Sequence, residues 1–103
     1  MNDREMLELA AKAAGIEWTE NDEAGNLYEV RHDLKRLVLW GPLADDGDAL
    51  RLAVKLRLEI CVFRDHSTAY HASGWCDENH AGNENAATRR AIVRAAAEIG
   101  RGM

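Results

Sequence analysis

The sequence predicts one α+β domain, an antiparallel sheet of three to four strands covered by three helices in the order α-β-β-α-β-β-α. Two observations lead to this prediction. Apolar residues recur at helical spacing in three segments, and between those segments they alternate at the spacing of half-buried strands. Strand-like runs that are joined by turn-rich stretches and interrupted by helices favour an antiparallel sheet with its helices on one face.

The first helix is predicted over residues 2–14. Asn2 can cap its start, and Glu5 follows three residues later, as in a capping box. Met6, Leu7, Ala10 and Ala14 recur at helical spacing and predict an apolar stripe. Gly15 is placed to end the helix in the left-handed conformation.

A hairpin and a second helix are predicted next. Two short strands, around 16–20 and 27–32, flank the turn-rich stretch NDEAGN, whereas residues 33–40 fit a third strand or a loop equally well. The helix begins after Asp45, whose carboxylate can cap it. Leu50, Ala53 and Leu56 have the spacing of its buried face.

The last part of the chain is predicted to form a second hairpin and a third helix. Apolar residues alternate in LRLEICVF (56–63), and TAYHASGW (68–75) is predicted to return as the antiparallel partner after a turn at 64–67. The alanine-rich segment 85–100 is a strong helix former, with Asn85 as its expected cap and Gly100 as its expected end.

Composition limits the classes of function. The 103 residues carry a net charge of −5, with twelve acids and five bases in residues 1–50 and six acids and eight bases in residues 51–103. This acidic excess argues against general nucleic-acid binding, which usually needs a strongly basic face. No apolar run approaches the roughly 20 residues that span a bilayer, and two cysteines without a secretory signal predict free thiols in the cytoplasm.

The stretch HSTAYHASGWCDENH (66–80) raises the question of a metal site. Its spacing, H-x4-H-x4-C-x3-H, matches no common zinc signature. If residues 71–76 were one extended strand, His71 and Cys76 would point to opposite faces. His71, Cys76 and His80 are therefore only weak candidates for metal ligands, and a strand followed by a polar loop is the simpler interpretation.

No residues suggest catalysis or a cofactor, because Cys61 lies in an apolar strand and Cys76 lies next to two acids that disfavour a thiolate. Surface binding is the alternative. Trp40 and Trp75 could each anchor a partner, although tryptophan more often fills a core. Arg90 and Arg94 could bind phosphates, or they could form the solvated side of the last helix.

Two segments, WGPLADDGDALRLAVKL (40–56) and NAATRRAIVRAAAEIG (85–100), resemble a family of small proteins from tailed phages and prophages, the NinX-like group. The opening DREMLELAAKAAGI is similar to the family's N-terminal helix. Gly41 stands where the family usually has Asn, so any capping or ligand role of that side chain is absent. The resemblance implies a phage or prophage origin, an α+β fold of this order and a bacterial host, and it implies no activity.

Together these observations lead to one leading hypothesis, a non-enzymatic phage accessory protein that binds a host or phage protein and can also form a homo-oligomer. A small nucleic-acid-binding module that uses the last helix is the alternative. A metal-assisted enzyme that uses the His/Cys cluster is the third hypothesis.

Overall fold

Three helices and six strands make up the described part of the chain, residues 1–20 and 25–103 of the computed structural model. In chain order the elements are α1 (Asp3–Ala14), β1 (Trp18–Glu20), β2 (Leu27–Arg31), β3 (Arg36–Leu39), α2 (Asp46–Leu56), β4 (Glu59–Val62), β5 (His66–His71), β6 (Gly74–Asn79) and α3 (Glu84–Arg101). None of the helices in the described ranges combines the length and apolar character needed to cross a bilayer.

The strands form two separate antiparallel sheets. The N-terminal sheet has the order β1-β2-β3 and the C-terminal sheet has the order β4-β5-β6. The predicted α+β class with three helices and antiparallel strands is therefore confirmed. Each predicted hairpin, however, has a third strand, and the strands divide into two sheets of three, so the element order becomes α-β-β-β-α-β-β-β-α.

The added strands come from segments that the sequence left open or misplaced. Residues 36–39 pair with β2, which identifies the ambiguous stretch as a strand. The turn predicted at 64–67 is shorter in the structure, because Ser67 already belongs to β5 and pairs with Val62 of β4. The return strand predicted over 68–75 is broken after His71, and β6 continues to Asn79 through part of the predicted polar loop. The predicted turn at 21–26 falls mostly on residues 21–24, outside the described residues.

Local capping chemistry fixes the starts of the helices. The Asn2 side chain accepts a hydrogen bond from the Glu5 amide at 2.8 Å, and Asp45 accepts one from Asp48 at the same distance, so both predicted caps are confirmed. Asn85 is not the cap of α3. Asn83 takes that role, because its side chain accepts from the Ala86 amide at 3.0 Å.

The helix α3 is the centre of the packing, with α1 and α2 on one side and the C-terminal sheet on the other. Its buried residues are mostly alanines: Ala87, Ala91, Ile92, Val93, Ala95, Ala96, Ala97 and Gly100. Because the side chains on opposite sides of α3 are small, both the α1–α2 layer and the C-terminal sheet can approach its backbone closely. Ile92 and Val93 face α1 and α2, and Ala91 and Ala95 face Ala69 and Cys76 of the sheet.

Gly100 does not end α3, as the sequence suggested, because the helix continues to Arg101. Gly100 instead lies where α3 crosses α1. A Cβ atom at this position would lie 2.0 Å from the Leu9 carbonyl oxygen. Gly100 therefore permits close contact between two helix backbones. In the sequence, a glycine with this role cannot be distinguished from a glycine that ends a helix.

The buried face of α2 agrees with the predicted one at Ala53 and at Leu56, which is partly buried against the core, and differs from it at Leu50. Ala49, Leu52 and Ala53 are buried, whereas Leu50 is exposed to solvent together with Val54 one turn later. The helix is rotated relative to the expectation because its packing surface centres on Leu52. The rotation leaves an apolar strip on the outside of α2.

Candidate functional site

The two faces of the C-terminal sheet differ in their surroundings. Paired residues of neighbouring strands project to the same face. The inner face includes Ala69 and its partner Cys76, which pack on α3. The outer face includes Tyr70 and its partner Trp75, which are 39% and 64% exposed.

The three weak metal candidates do not come together. The turn at residues 72–73 separates His71 from Cys76 and places both on the inner face, so the expected opposite orientation is wrong. Cys76 is buried against α3, His71 lies at the turn, and His80 lies beyond the other end of β6. Among the described residues, no three His, Cys, Asp or Glu side chains are grouped so that they could hold a metal ion.

His80 belongs instead to a buried polar cluster that the sequence did not reveal. Its Nε2 atom lies 2.9 Å from the Ser67 hydroxyl, which lies 2.7 Å from the Thr88 hydroxyl. The Thr88 hydroxyl donates to the Glu84 carbonyl oxygen in the preceding turn of α3. The cluster ties the loop after β6 to β5 and to the start of α3. No sequence signal finds it, because its three side chains are far apart in the chain.

A serine beside a histidine also suggests nucleophilic catalysis, but here the geometry gives it little support. The Ser67 residue is fully buried, so a substrate has no path to its hydroxyl. No carboxylate orients the ring, since His80 Nδ1 has no hydrogen-bond partner among the described residues. The arrangement fits a structural link between β5, the loop and α3.

The free thiols likewise show no sign of activation. Burial raises the pKa of the Cys76 thiol, an effect that the neighbouring acids strengthen and Arg94 opposes. Cys76 is therefore kept protonated at neutral pH, and a protonated thiol is a poor nucleophile. Cys61 is half-buried on the outer face of β4.

The arginines of α3 are already paired within the chain. Arg90 lies 3.0 Å from a carboxylate oxygen of Asp3 and 3.7 Å from one of Glu78. Arg94 forms an ion pair with Glu78 and donates to the Asp77 carbonyl oxygen at 2.8 Å. The two other arginines of the helix, Arg89 and Arg101, pair with Asp46 and Glu98. These carboxylates neutralise the helix and would compete with nucleic-acid phosphates.

The two tryptophans proposed as anchors have opposite environments. Trp40 is only 5% exposed and packs in the core beside Leu27, so it is not available to a partner. Trp75 is the exposed one. Both positions lie close to turns, Trp40 before one and Trp75 after one, and only the tertiary packing distinguishes them.

The outer face of the C-terminal sheet is therefore the strongest candidate site, and we name it the aromatic face. It carries Trp75 and Tyr70 in one cross-strand row and Phe63 at the opposite end. Phe63 stacks on His66 with ring centroids 4.7 Å apart. The neighbouring side chains of Tyr70 and Trp75 expose apolar surface at one end of the sheet, and Phe63 exposes more at the other end.

The aromatic face is also acidic. Glu59 pairs with Tyr70 across the strands, and Asp77 lies two residues from Trp75 on the same side. His66 donates to Asp65 at 2.7 Å, and this hydrogen bond holds the Asp65 pKa below its usual range. The face therefore combines aromatic rings with carboxylates at neutral pH.

The comparisons with known proteins add no relative to this description. No protein-family model, curated protein or solved structure matches the chain.

Proposed function

We propose that the protein is a non-enzymatic binding module whose aromatic face docks a basic segment of a partner protein. The exposure of Trp75 is the observation that carries this proposal. At 64% exposure, a large apolar ring stands in solvent near the start of a regular strand. Tryptophan is the residue type most enriched at the energetic centres of protein interfaces.

The neighbours of Trp75 support a flat docking surface. Tyr70 lies directly opposite it and is also exposed, so the two rings form a continuous apolar area. The β-sheet backbone fixes the positions from which both side chains project before a partner arrives. Little conformational entropy is then lost on binding, which favours affinity.

The charge of the face supports a basic occupant. Glu59 and Asp77 flank the rings, and His66 is the one basic side chain among the paired outer-face positions of the described sheet. A lysine or arginine of a partner can lie over Trp75 or Tyr70 in a cation–π contact while it pairs with a carboxylate. An acidic segment would instead be repelled.

The setting proposed for this binding is a phage or prophage, with a host or phage protein as the partner. The sequence resemblance to small tailed-phage proteins supports this setting. The intramolecular ion pairs of Arg90 and Arg94 give a nucleic-acid partner weaker support, because those side chains would have to leave carboxylates to bind phosphates.

Affinity capture with matched baits tests the proposal. The wild-type protein, Trp75→Ala and Leu39→Ala are immobilised and exposed to lysate of the infected host. Leu39 is a suitable control because it is similarly exposed but lies on the N-terminal sheet. We expect a partner with a basic segment that binds the wild type and Leu39→Ala and is lost from Trp75→Ala. Equal retention on all three baits would contradict the proposal.

A further inference from the structure

The free edge of β4 and the exposed strip of α2 form a second surface, which we name the β4 edge surface. It consists of Leu50 and Val54 on α2 and of Ile60, Cys61 and Val62 on β4. This surface lies at one edge of the sheet that carries the aromatic face and shares Cys61 with that face, but its role does not depend on the proposed function. β4 is an outer strand of its sheet, so one side of its backbone has no strand beside it in the described structure.

The backbone direction of β4 follows from one hydrogen bond. The Phe63 amide donates to the His66 carbonyl oxygen at 2.8 Å, so Phe63 faces β5. Amide and carbonyl groups of an antiparallel strand alternate in direction. Cys61 therefore also faces β5, and the backbone groups of Ile60 and Val62 point to the free edge.

In the described structure, this edge is protected only by the shortness of β4, which has four residues, and by the charge of Glu59. The strand EICV contains no lysine, proline or glycine. Leu50, Val54 and Val62 beside it are 64%, 68% and 62% exposed. A groove of about 310 Å³ opens between α2, β4 and the first turns of α3, and Leu50, Ile60 and Val62 are among the apolar side chains that line it. Such an edge with adjoining apolar side chains is a template for strand addition.

We propose that a second copy of this chain covers the β4 edge surface, by antiparallel pairing of β4 with its counterpart about a twofold axis at Cys61. In this register Ile60 lies opposite Val62 of the other copy, and Val62 lies opposite its Ile60. Each of these pairs exchanges two hydrogen bonds, so all the outward backbone groups of the two residues are satisfied. A twofold axis uses the same surface on both copies.

Neighbouring registers are less favourable. A shift that places Ile60 opposite itself brings Val62 opposite Leu58, whose amide already donates to the Ala53 carbonyl oxygen. A shift in the other direction places Glu59 at the end of the strand beside the partner's Asp65, which juxtaposes like charges. The register centred on Cys61 instead brings Arg57 to that end, so a positive side chain approaches a negative one at both ends of the pairing.

The helices complete the interface. Pairing about an axis perpendicular to the sheet keeps α2 of both copies on the same side. The exposed strips with Leu50 and Val54 then approach each other above the paired strands. The apolar side chains that the fold of one chain leaves in water are buried between two copies.

Light scattering coupled to size-exclusion chromatography tests the dimer. We expect a mass of twice 11.5 kDa for the wild type at high micromolar concentration. Val62→Lys places a charge within the paired segment, next to the twofold axis at Cys61, and should yield the monomer. Leu39→Lys, on the edge strand β3 of the other sheet, is the matched control and should stay dimeric. Both side chains are exposed, so circular dichroism should show folded proteins.

Oxidative cross-linking identifies the register. Directly opposed residues at a position without hydrogen bonds have Cα atoms about 4.5 Å apart, which is within the range of a disulfide. Mild copper–phenanthroline oxidation should therefore link wild type and Cys76→Ala into covalent dimers, and Cys61→Ala should remain unlinked. A monomeric wild type would overturn the proposal. So would a dimer that survives Val62→Lys, or one that does not cross-link through Cys61.

Discussion

Replacement of Gly100 by alanine tests how closely α1 and α3 approach each other. The new Cβ would lie 2.0 Å from the Leu9 carbonyl oxygen and 2.8 Å from its carbon, so the two helix backbones must move apart. Overpacking of this kind costs about 1–3 kcal/mol or more, and a contact with backbone lies at the upper end. Alanine returns at most about 1 kcal/mol of helix propensity. We expect a net destabilisation of about 2 kcal/mol.

Thermal and urea denaturation followed by circular dichroism measure this change. For a domain of this size, about 2 kcal/mol lowers Tm by roughly 8–16 °C. Gly102→Ala is the matched control, since a Cβ there meets its nearest neighbour, the Ile99 carbonyl oxygen, at an ordinary 3.6 Å. Gly102 also has a right-handed backbone, which alanine adopts without strain. If Gly100→Ala were as stable as the control, or more stable than wild type, the close helix crossing would be refuted.

Three further predictions concern caps, buried polarity and pH. Asn83→Ala should lower the free energy of unfolding by about 1 kcal/mol because it removes the α3 cap, whereas Asn85→Ala should leave it unchanged. Denaturant titration measures both variants, and equal losses would contradict the assignment. Ser67→Ala should cost about 1–3 kcal/mol in the same assay because it leaves the buried His80 ring without its partner; an unchanged midpoint would argue against the cluster. Burial raises the Cys76 pKa, so the native state keeps a proton that the unfolded state releases. The contribution of this thiol to the free energy of unfolding should be constant below about pH 8.5 and should be lost as the pH rises through the folded pKa. Denaturation at stepped pH measures this loss, and Cys76→Ala should remove it.

Features set by neighbouring residues were mostly predictable from the sequence, with the α3 cap at Asn83 as an exception, and features set by tertiary contacts were not. The caps at Asn2 and Asp45 depend on an amide three residues away, so a short pattern identifies them. Gly100 follows the same pattern as a helix stop, but its role depends on Leu9, which is far away in the chain. Leu50 has the spacing of a buried residue, and only the rotation of α2 against α3 exposes it.

The same distinction applies to the candidate site. On the basis of residue type, the sequence offered Trp40 and Trp75 alike as core residues or as anchors, and the fold buried the first and exposed the second. The expected orientation of His71 and Cys76 was wrong because one turn, at residues 72–73, divides the segment into two strands. The acidic character of the aromatic face arises from residues on β4, on β6 and in the turn between β4 and β5, so no single segment carries the signal.

The affinity of the captured partner's basic segment for Trp75→Ala tests the central claim most directly. A labelled peptide of that segment is titrated with wild type and with Trp75→Ala, and binding is followed by fluorescence anisotropy. Truncation of a central interface tryptophan costs at least about 2 kcal/mol, so we predict a Kd about 30-fold higher or more for the variant. Equal Kd values for the two proteins would contradict the assignment of the aromatic face as the binding site.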